Sequence, residues 1–373
     1  MAGIYIHIPF CRKACHYCNF HFSTSLSLKN DFLHALLNEI DLQKNYLNSE
    51  TVHTIYFGGG TPSLLEANEC NAILQKLKES FSMDSEVEVT LEANPDDITV
   101  DKLIAWQNSG INRLSIGVQS FFDEDLSWMN RAHTAKQSIS SLELAKNYFN
   151  NITIDLIYGT PTLNDKKWKE NINKAIELTI PHLSCYALTV EPKTALQKLI
   201  ADKKFIDVNP SDQARQFLLL MEWMETSGYE HYEISNFALS GKRSKHNSSY
   251  WQGTPYLGLG PSAHSYNNSS RQWNIANNAL YIQSLKKNEL NVELEILTPT
   301  QVQNEYIMTS LRTMEGLDNN YIRNHFGLQE EHRIEKAAQH FIQQQLLEKK
   351  ENSFILTKKG KLFADGIAAD LFS

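Results

Sequence analysis

The chain is poor in cysteine, in net positive charge and in long apolar runs. Five cysteines stand among 373 residues. That is too few, too unevenly placed, for a disulfide framework, and it points to a reducing compartment. Acidic residues outnumber basic ones, 43 to 35, for a formal net charge of −8. A global basic field of the kind that attracts nucleic acid is therefore excluded. No apolar stretch approaches the ~20 residues needed to cross a bilayer. The opening MAGIYIHIPF has neither the charged region nor the apolar core of a secretory signal. These absences predict a cytoplasmic globular protein. An apolar fraction of 42% is enough to bury a substantial core, and the length predicts one large domain with a smaller one.

What is present is concentrated near the N-terminus. Cys11, Cys15 and Cys18 fall in HIPFCRKACHYCNF with the spacing C-x₃-C-x₂-C, and Tyr17 precedes the last of them. Three thiolates can hold three corners of a [4Fe–4S] cubane. The fourth iron is then without a protein ligand and can bind a small chelating molecule. The competing reading is a structural zinc site with His16 or His21 as a fourth ligand. The spacing is a poor match to paired zinc ligands, and no second cysteine pair follows. Cys70 and Cys185 lie far apart and read as small buried hydrophobes.

Six β-rich runs, from Gly3 to Thr189, alternate with helix-period segments in the first half of the chain. That alternation predicts an α/β fold with a parallel sheet, in the form of a partial (β/α)₆ barrel. In such barrels chemistry gathers at the C-terminal ends of the strands. The pattern divides the chain into a barrel over residues 1–205, an extension over 206–296 and a mostly helical, winged-helix-like domain over 297–373. The last domain is read as structural. Its helices carry as many acids as bases, and no arginine-rich recognition helix stands out.

Further motifs follow the strands. Gly58, Gly59, Gly60, Thr61 and Pro62 form a turn that either lets the backbone approach a ligand or only reverses the chain. Glu92, in TLEANP, can hold a ribose hydroxyl or an ammonium, or cap a helix. Gln119, in SIGVQSF, is a further polar candidate. Arg131, in MNRAHT, can clamp a carboxylate or form a surface ion pair. Asp155, in ITIDLIYGTP, interrupts an apolar strand, so it is either functional or a buried partner of Arg131.

In order and spacing, HIPFCRKACHYCNF, YFGGGTP, TLEANP, RLSIGVQSF, MNRAHT, ITIDLIYGTP, CYALTVEP and LTKKGKLFADGI resemble the oxygen-independent coproporphyrinogen III oxidase family of radical SAM proteins. The likeness spans nearly the whole chain. It implies a [4Fe–4S] cluster on Cys11, Cys15 and Cys18 and S-adenosylmethionine (SAM) on its open iron. The implied SAM contacts are Tyr5, Gly59, Gly60, Thr61, Glu92, Gln119, Arg131 and Asp155, and an electron donor is implied as a partner. Tyr17 and Ala187 match a second SAM site of the oxidase. Two departures stand out: Phe20 replaces a further cysteine of the oxidase, and no long segment precedes the cysteine motif.

Both departures fall on the side of the haem-chaperone branch of that family. HNSSYW, His246 to Trp251, resembles the HNxxYW signature of that branch. The likeness implies haem as cargo and haem-accepting proteins as partners, with no membrane span and at most transient docking to membrane haem proteins. His246 is expected in an exposed polar loop as an axial haem ligand, with Tyr250 and Trp251 stacking on the porphyrin. His264 and Cys185 are the alternatives. The rival activity is oxidative decarboxylation of coproporphyrinogen III, and a third reading is a radical SAM enzyme for another metabolite.

Overall fold

Along each strand of the first half, side chains alternate between apolar and polar, the two-residue period of a pleated strand with two different faces. The computed structural model describes residues 1–373. Strands β1 (Ala2–Ile8), β2 (Val52–Gly59), β3 (Met83–Ala93), β4 (Arg113–Gln119), β5 (Ile152–Tyr158) and β6 (His182–Ala187) are neighbours in that order. All are parallel. The register aligns Tyr5 with Tyr56, Glu92 with Ser115 and Asp155 with Ser184.

Ile4, Ile6, Ile55, Phe57, Leu91, Leu114, Ile116, Ile154 and Leu156 form the outer apolar face. They belong to a core of 56 buried residues. Helices Lys29–Leu42, Ala67–Ser80, Val100–Ser109, Ala135–Ala145 and Asp165–Glu177 close over this face, burying Trp106 and Trp168 completely. The opposite face carries Tyr5, His7, Thr54, Tyr56, Thr90, Glu92, Arg113, Ser115, Thr153, Asp155, His182 and Ser184. The barrel is thus apolar outside, against its helices, and polar inside.

The segment after residue 205 continues this sheet at both edges rather than only packing against it. Strands β7 (Glu230–Glu233) and β8 (Asn236–Ala238) add antiparallel beyond β6. At the other edge β9 (Tyr256–Leu259) runs parallel to β1. It is followed by β10 (His264–Tyr266), β11 (Ser270–Asn274) and β12 (Val292–Ile296). Buried Glu39 secures that edge, accepting from Gly260 N at 2.8 Å, Asn274 Nδ2 at 2.6 Å and Tyr281 Oη at 2.5 Å.

The HNSSYW stretch corrects an expectation. It is a helix, Lys245–Trp251, rather than an exposed loop, and His246 is 1% exposed. Ser244 caps it by accepting from the Asn247 N–H. Glu88 Oε1 receives the His246 N–H at 3.1 Å.

Strands β13 (Leu317–Asp318), β14 (Leu347–Lys350) and β15 (Ser353–Leu356) form a separate sheet. With helices Pro299–Leu311, Asn319–Phe326, Leu328–Gln343 and Ala364–Asp370 they enclose their own 15-residue core, the helix-and-hairpin arrangement of a winged helix. Arg312 joins it to the barrel. Its Nη2 pairs with Glu233 at 3.2 Å, and its guanidinium lies 5.1 Å from the centre of the Trp251 ring. Trp251 therefore lies against the C-terminal module, not on a ligand face as expected. Trp251→Ala should weaken this junction by roughly 1 kcal/mol or more. The measurement is hydrogen exchange over residues 297–373. Unchanged protection there would show that the stacking contributes nothing.

Candidate functional site

The loop after β1 is closed on itself. Ser23 N–H donates to the Pro9 carbonyl at 2.9 Å, and Cys11 N–H donates to the Ser23 carbonyl at 3.0 Å. This lasso places Cys11, Cys15, Tyr17 and Cys18 along one side of a cavity of about 480 Å³ at the C-terminal ends of the strands. Gly59, Gly60, Thr61, Glu92, Gln119, Arg131, Asp155 and Ala187 line the same cavity. Of the thirteen candidates named from the sequence for the cluster and SAM, all but Tyr5 thus meet in one place.

The glycine turn fits against the lasso only because it lacks side chains. A Cβ on Gly60 would lie 2.6 Å from the Phe10 carbonyl oxygen. Gly59 has φ +99°, and a Cβ there would meet the His7 ring at 2.6 Å. The turn is pinned by Gly60 N–H to the Ile8 carbonyl at 2.8 Å and Thr61 N–H to the Phe10 carbonyl at 2.7 Å. Thr61 Oγ1 then donates to Cys11 Sγ at 3.4 Å.

Burial pushes the Cys11 thiol up to about 11, and its neighbours Cys18 and Cys15 add to this against the Thr61 hydrogen bond. Burial also raises Cys18. The thiols thus gain most from a cationic cluster that takes them as thiolates. No three His, Cys, Asp or Glu groups converge on the spacing of one metal ion, as a structural zinc site requires. A shared wall with a glycine turn behind it fits the larger cubane.

Arg131 ties the lasso to the sheet. Its Nη1 donates to Cys15 Sγ at 3.3 Å. Its Nη2 donates to Asn94 Oδ1 at 2.7 Å and to the Gly117 carbonyl at 2.8 Å. Only Nε lacks a partner. Of the two readings of Asp155, a direct pair with Arg131 is not formed: Asp155 is hydrogen-bonded to Ser184 and feels Arg113 before Arg131.

Glu92 and Asp155 are two carboxyls in one interior. Burial, and then the Asp155 charge, push Glu92 up to about 8 against hydrogen bonds from Tyr56 and Gly59. The Tyr56 hydroxyl donates to Glu92 Oε1 at 2.8 Å. Burial pushes Asp155 up to about 6. Near neutral pH Glu92 is thus held largely protonated beside an ionised Asp155. Gln119 reaches the cavity through a break in the β4–β5 register between Ile116 and Gln119. Its φ of +66° marks strain of the kind stored where a side chain must be re-aimed.

Two candidates lie elsewhere. Tyr5 lines a neighbouring cavity of about 360 Å³, with its ring stacked 6.2 Å from Tyr56. His246 is inside the barrel, at the opposite end from the cysteines. Its Nδ1 meets Thr54 Oγ1 at 2.8 Å, its Nε2 meets Tyr250 Oη at 2.9 Å, and its ring stacks 5.0 Å from Tyr56. Burial, then Arg113, hold it down to about 3. With both nitrogens engaged it cannot reach a haem iron without breaking the floor, which corrects its expected role. Cys185 is 1% exposed in the core, equally out of reach.

Tyr56, Asn94 and Arg113 were missed in the sequence. Tyr56 and Asn94 carry the supports of Glu92 and Arg131. Their signal was parity: Tyr56 and Arg113 share the inward face of their strands with Gly58 and Gln119, and Asn94 follows β3 two residues after Glu92. Arg113 is 0% exposed, and none of its three guanidinium nitrogens has a protein partner.

The chain matches the radical SAM superfamily over residues 5–175 and the HemN C-terminal domain over residues 297–363. It is 33% identical to the heme chaperone HemW of Bacillus subtilis (strain 168), over 98% of both chains. It is 30% identical to the heme chaperone HemW of Mycobacterium tuberculosis (strain ATCC 25618 / H37Rv), over 99% of this chain and 94% of the other. The solved structure of coproporphyrinogen III oxidase (HemN) from Escherichia coli superposes with a TM-score of 0.85 at 24% identity. It covers 100% of this chain and 90% of that one, a likeness of fold. Aligned end to end with such relatives, and carrying the cysteine lasso and glycine turn in one cavity, the chain belongs to the HemW family of radical SAM proteins.

Proposed function

We propose that this protein carries haem to haem-requiring acceptor proteins, and that it holds a [4Fe–4S] cluster and SAM in the larger cavity. The observation that carries the reading is the end-to-end identity with proteins named heme chaperones, joined to a cavity whose residues suit the cluster and its ligand. When bound, the cluster supplies an electron, and SAM supplies a sulfonium bond that an electron can cleave.

The chain's own residues do the rest. Cys11, Cys15 and Cys18 hold the cluster, and Arg131 and Thr61 fix two of the three sulfurs. Glu92 and Asp155 balance the ammonium and sulfonium charge of SAM. Gly59 and Gly60 leave room for it against the backbone. Tyr17 and Ala187 border the same space. An external electron donor is required by the cluster. The module over residues 297–373 serves as structure, carrying no recognition helix. No helix of the chain is long and apolar enough to cross a membrane, so delivery to a membrane haem protein would be by docking.

The test is anaerobic reconstitution followed by paired assays. Haem should bind at roughly one per chain. Coproporphyrinogen III should not be converted to protoporphyrinogen IX, even with SAM and a strong reductant. Robust decarboxylation would overturn the proposal in favour of the oxidase. Absence of haem uptake, with SAM consumed against another metabolite, would assign the protein to a different reaction.

A further inference from the structure

The smaller cavity has no part in holding the cluster, yet it adjoins the cluster cavity. Asn19 and Phe20, at the end of the cysteine lasso, line both. Phe20 is 64% exposed, so an apolar ring stands at the boundary. Tyr5, Tyr250 and Tyr256 supply three more aromatic walls, and Tyr250 and Tyr256 meet edge to face at 4.6 Å.

Three imidazoles face this space: His7, His21 and His264. His7 is used on both nitrogens, Nδ1 with Tyr5 Oη at 3.2 Å and Nε2 with the His21 carbonyl at 2.8 Å. His21 Nε2 is taken by Asn278 Oδ1 at 2.7 Å. His264 stands on β10, exposed, and makes no side-chain hydrogen bond to protein. It is nonetheless held in place. Its ring stacks 5.9 Å from Trp273 at 28°, and its backbone pairs with Trp273 across β10–β11. A Cβ on Gly258 would strike the His264 carbonyl oxygen at 2.0 Å, so glycine there lets the His264 strand lie close. Burial, and then Arg271, lower its proton affinity, which keeps the ring neutral near neutral pH. Arg271 beside it is paired through Nη2 with Glu305 at 2.9 Å, and its Nε has no partner.

A free, oriented imidazole among aromatic faces suits a flat metal macrocycle. We propose that the smaller cavity is the haem-holding site and that His264 is its axial ligand, with Phe20 and Tyr250 against the ring. This rests on the haem-carrying reading above. It also gives the HNSSYW helix a part in haem holding without iron ligation: His246 holds Tyr250, and Tyr250 forms the wall. The cavity is smaller than the macrocycle, so part of the ring lies over Phe20 toward the cluster cavity.

The test is anaerobic titration of the cluster-loaded full chain with hemin and, separately, with metal-free protoporphyrin IX. In the wild type both should bind, hemin with the spectrum of an imidazole-ligated iron. In His264→Ala, hemin affinity should fall at least about tenfold and the spectrum should shift, because the iron bond is lost. Protoporphyrin binding should change little, which shows that the cavity is intact. In His264→Gly, added imidazole should restore the wild-type spectrum. An unchanged hemin spectrum and affinity in His264→Ala would overturn the site while leaving the haem-carrying function standing. Equal loss of hemin and protoporphyrin, with no rescue by imidazole, would overturn the ligand assignment. No hemin uptake by the wild type would instead overturn the functional reading.

Discussion

Cys15→Ala should strip the protein of its iron–sulfur absorption and bring bound iron from about four per chain to below one. Cys15 lies between the other two ligands of the lasso, and its Sγ is the acceptor of Arg131 Nη1. Removing it deletes one corner of the cluster and leaves that guanidinium nitrogen without an acceptor. Two thiolates cannot retain a cubane against exchange, so the effect is close to all-or-none. Cys70→Ala is the control, because Cys70 is wholly buried on an outer helix, away from the lasso. Iron and acid-labile sulfide are measured after anaerobic reconstitution. A full complement of both in Cys15→Ala would sink the cluster assignment, and zinc in place of iron would restore the structural reading.

The second large effect is a steep pH dependence of SAM affinity. Glu92 and Asp155, at about 8 and about 6, are raised above the ordinary carboxyl range. Below those values they are neutral and offer a cation nothing. A bound ammonium or sulfonium favours the carboxylates, so binding expels protons. Affinity should therefore climb as pH rises through about 6 to 8, by up to about tenfold per pH unit where one proton is released. The stability of the SAM-free protein moves the other way. A carboxyl raised on folding contributes stability that is fully present below its unfolded value. That contribution is lost as pH rises through the folded value. Calorimetry in buffers of different ionisation enthalpy counts the protons directly. Glu92→Gln should flatten the upper part of the profile. A flat profile in the wild type would show that the two carboxyls do not face the ligand.

Much of this was legible because two periodicities coincide. The apolar half of each strand, such as Ile4, Ile6 and Ile8 in β1, announces a sheet covered by helices. The cysteine spacing announces a cluster wherever the sheet's loops gather. What could not be read lies where polarity and burial part company. SKHNSSYW looks exposed because it is polar, yet the barrel interior is itself polar, so a hydrogen-bonded His246 is at home there. The edge strands β7 to β12 are mostly three to five residues long. Their strand character comes from pairing outward from β1, through β9, and from β6, through β8, rather than from local propensity. Tyr5 and His246 were placed by motif position alone. Which side of a wall a side chain faces depends on packing between segments some 250 residues apart, which no local pattern encodes.

The sheet order also sets a timetable for synthesis. Gly3 on β1 pairs with Tyr256 on β9, so the outer edge of the first strand made waits for a partner from far along the nascent chain. Until then it presents unpaired N–H and C=O groups, an edge on which another chain can nucleate. The cluster cavity is built wholly from residues 11 to 191, whereas the smaller cavity needs Tyr250, Tyr256 and His264. On the ribosome the residues of the larger cavity are therefore in hand before the smaller cavity has its walls. Under the proposed assignment, cluster assembly can precede the closing of the sheet, and haem uptake must follow it.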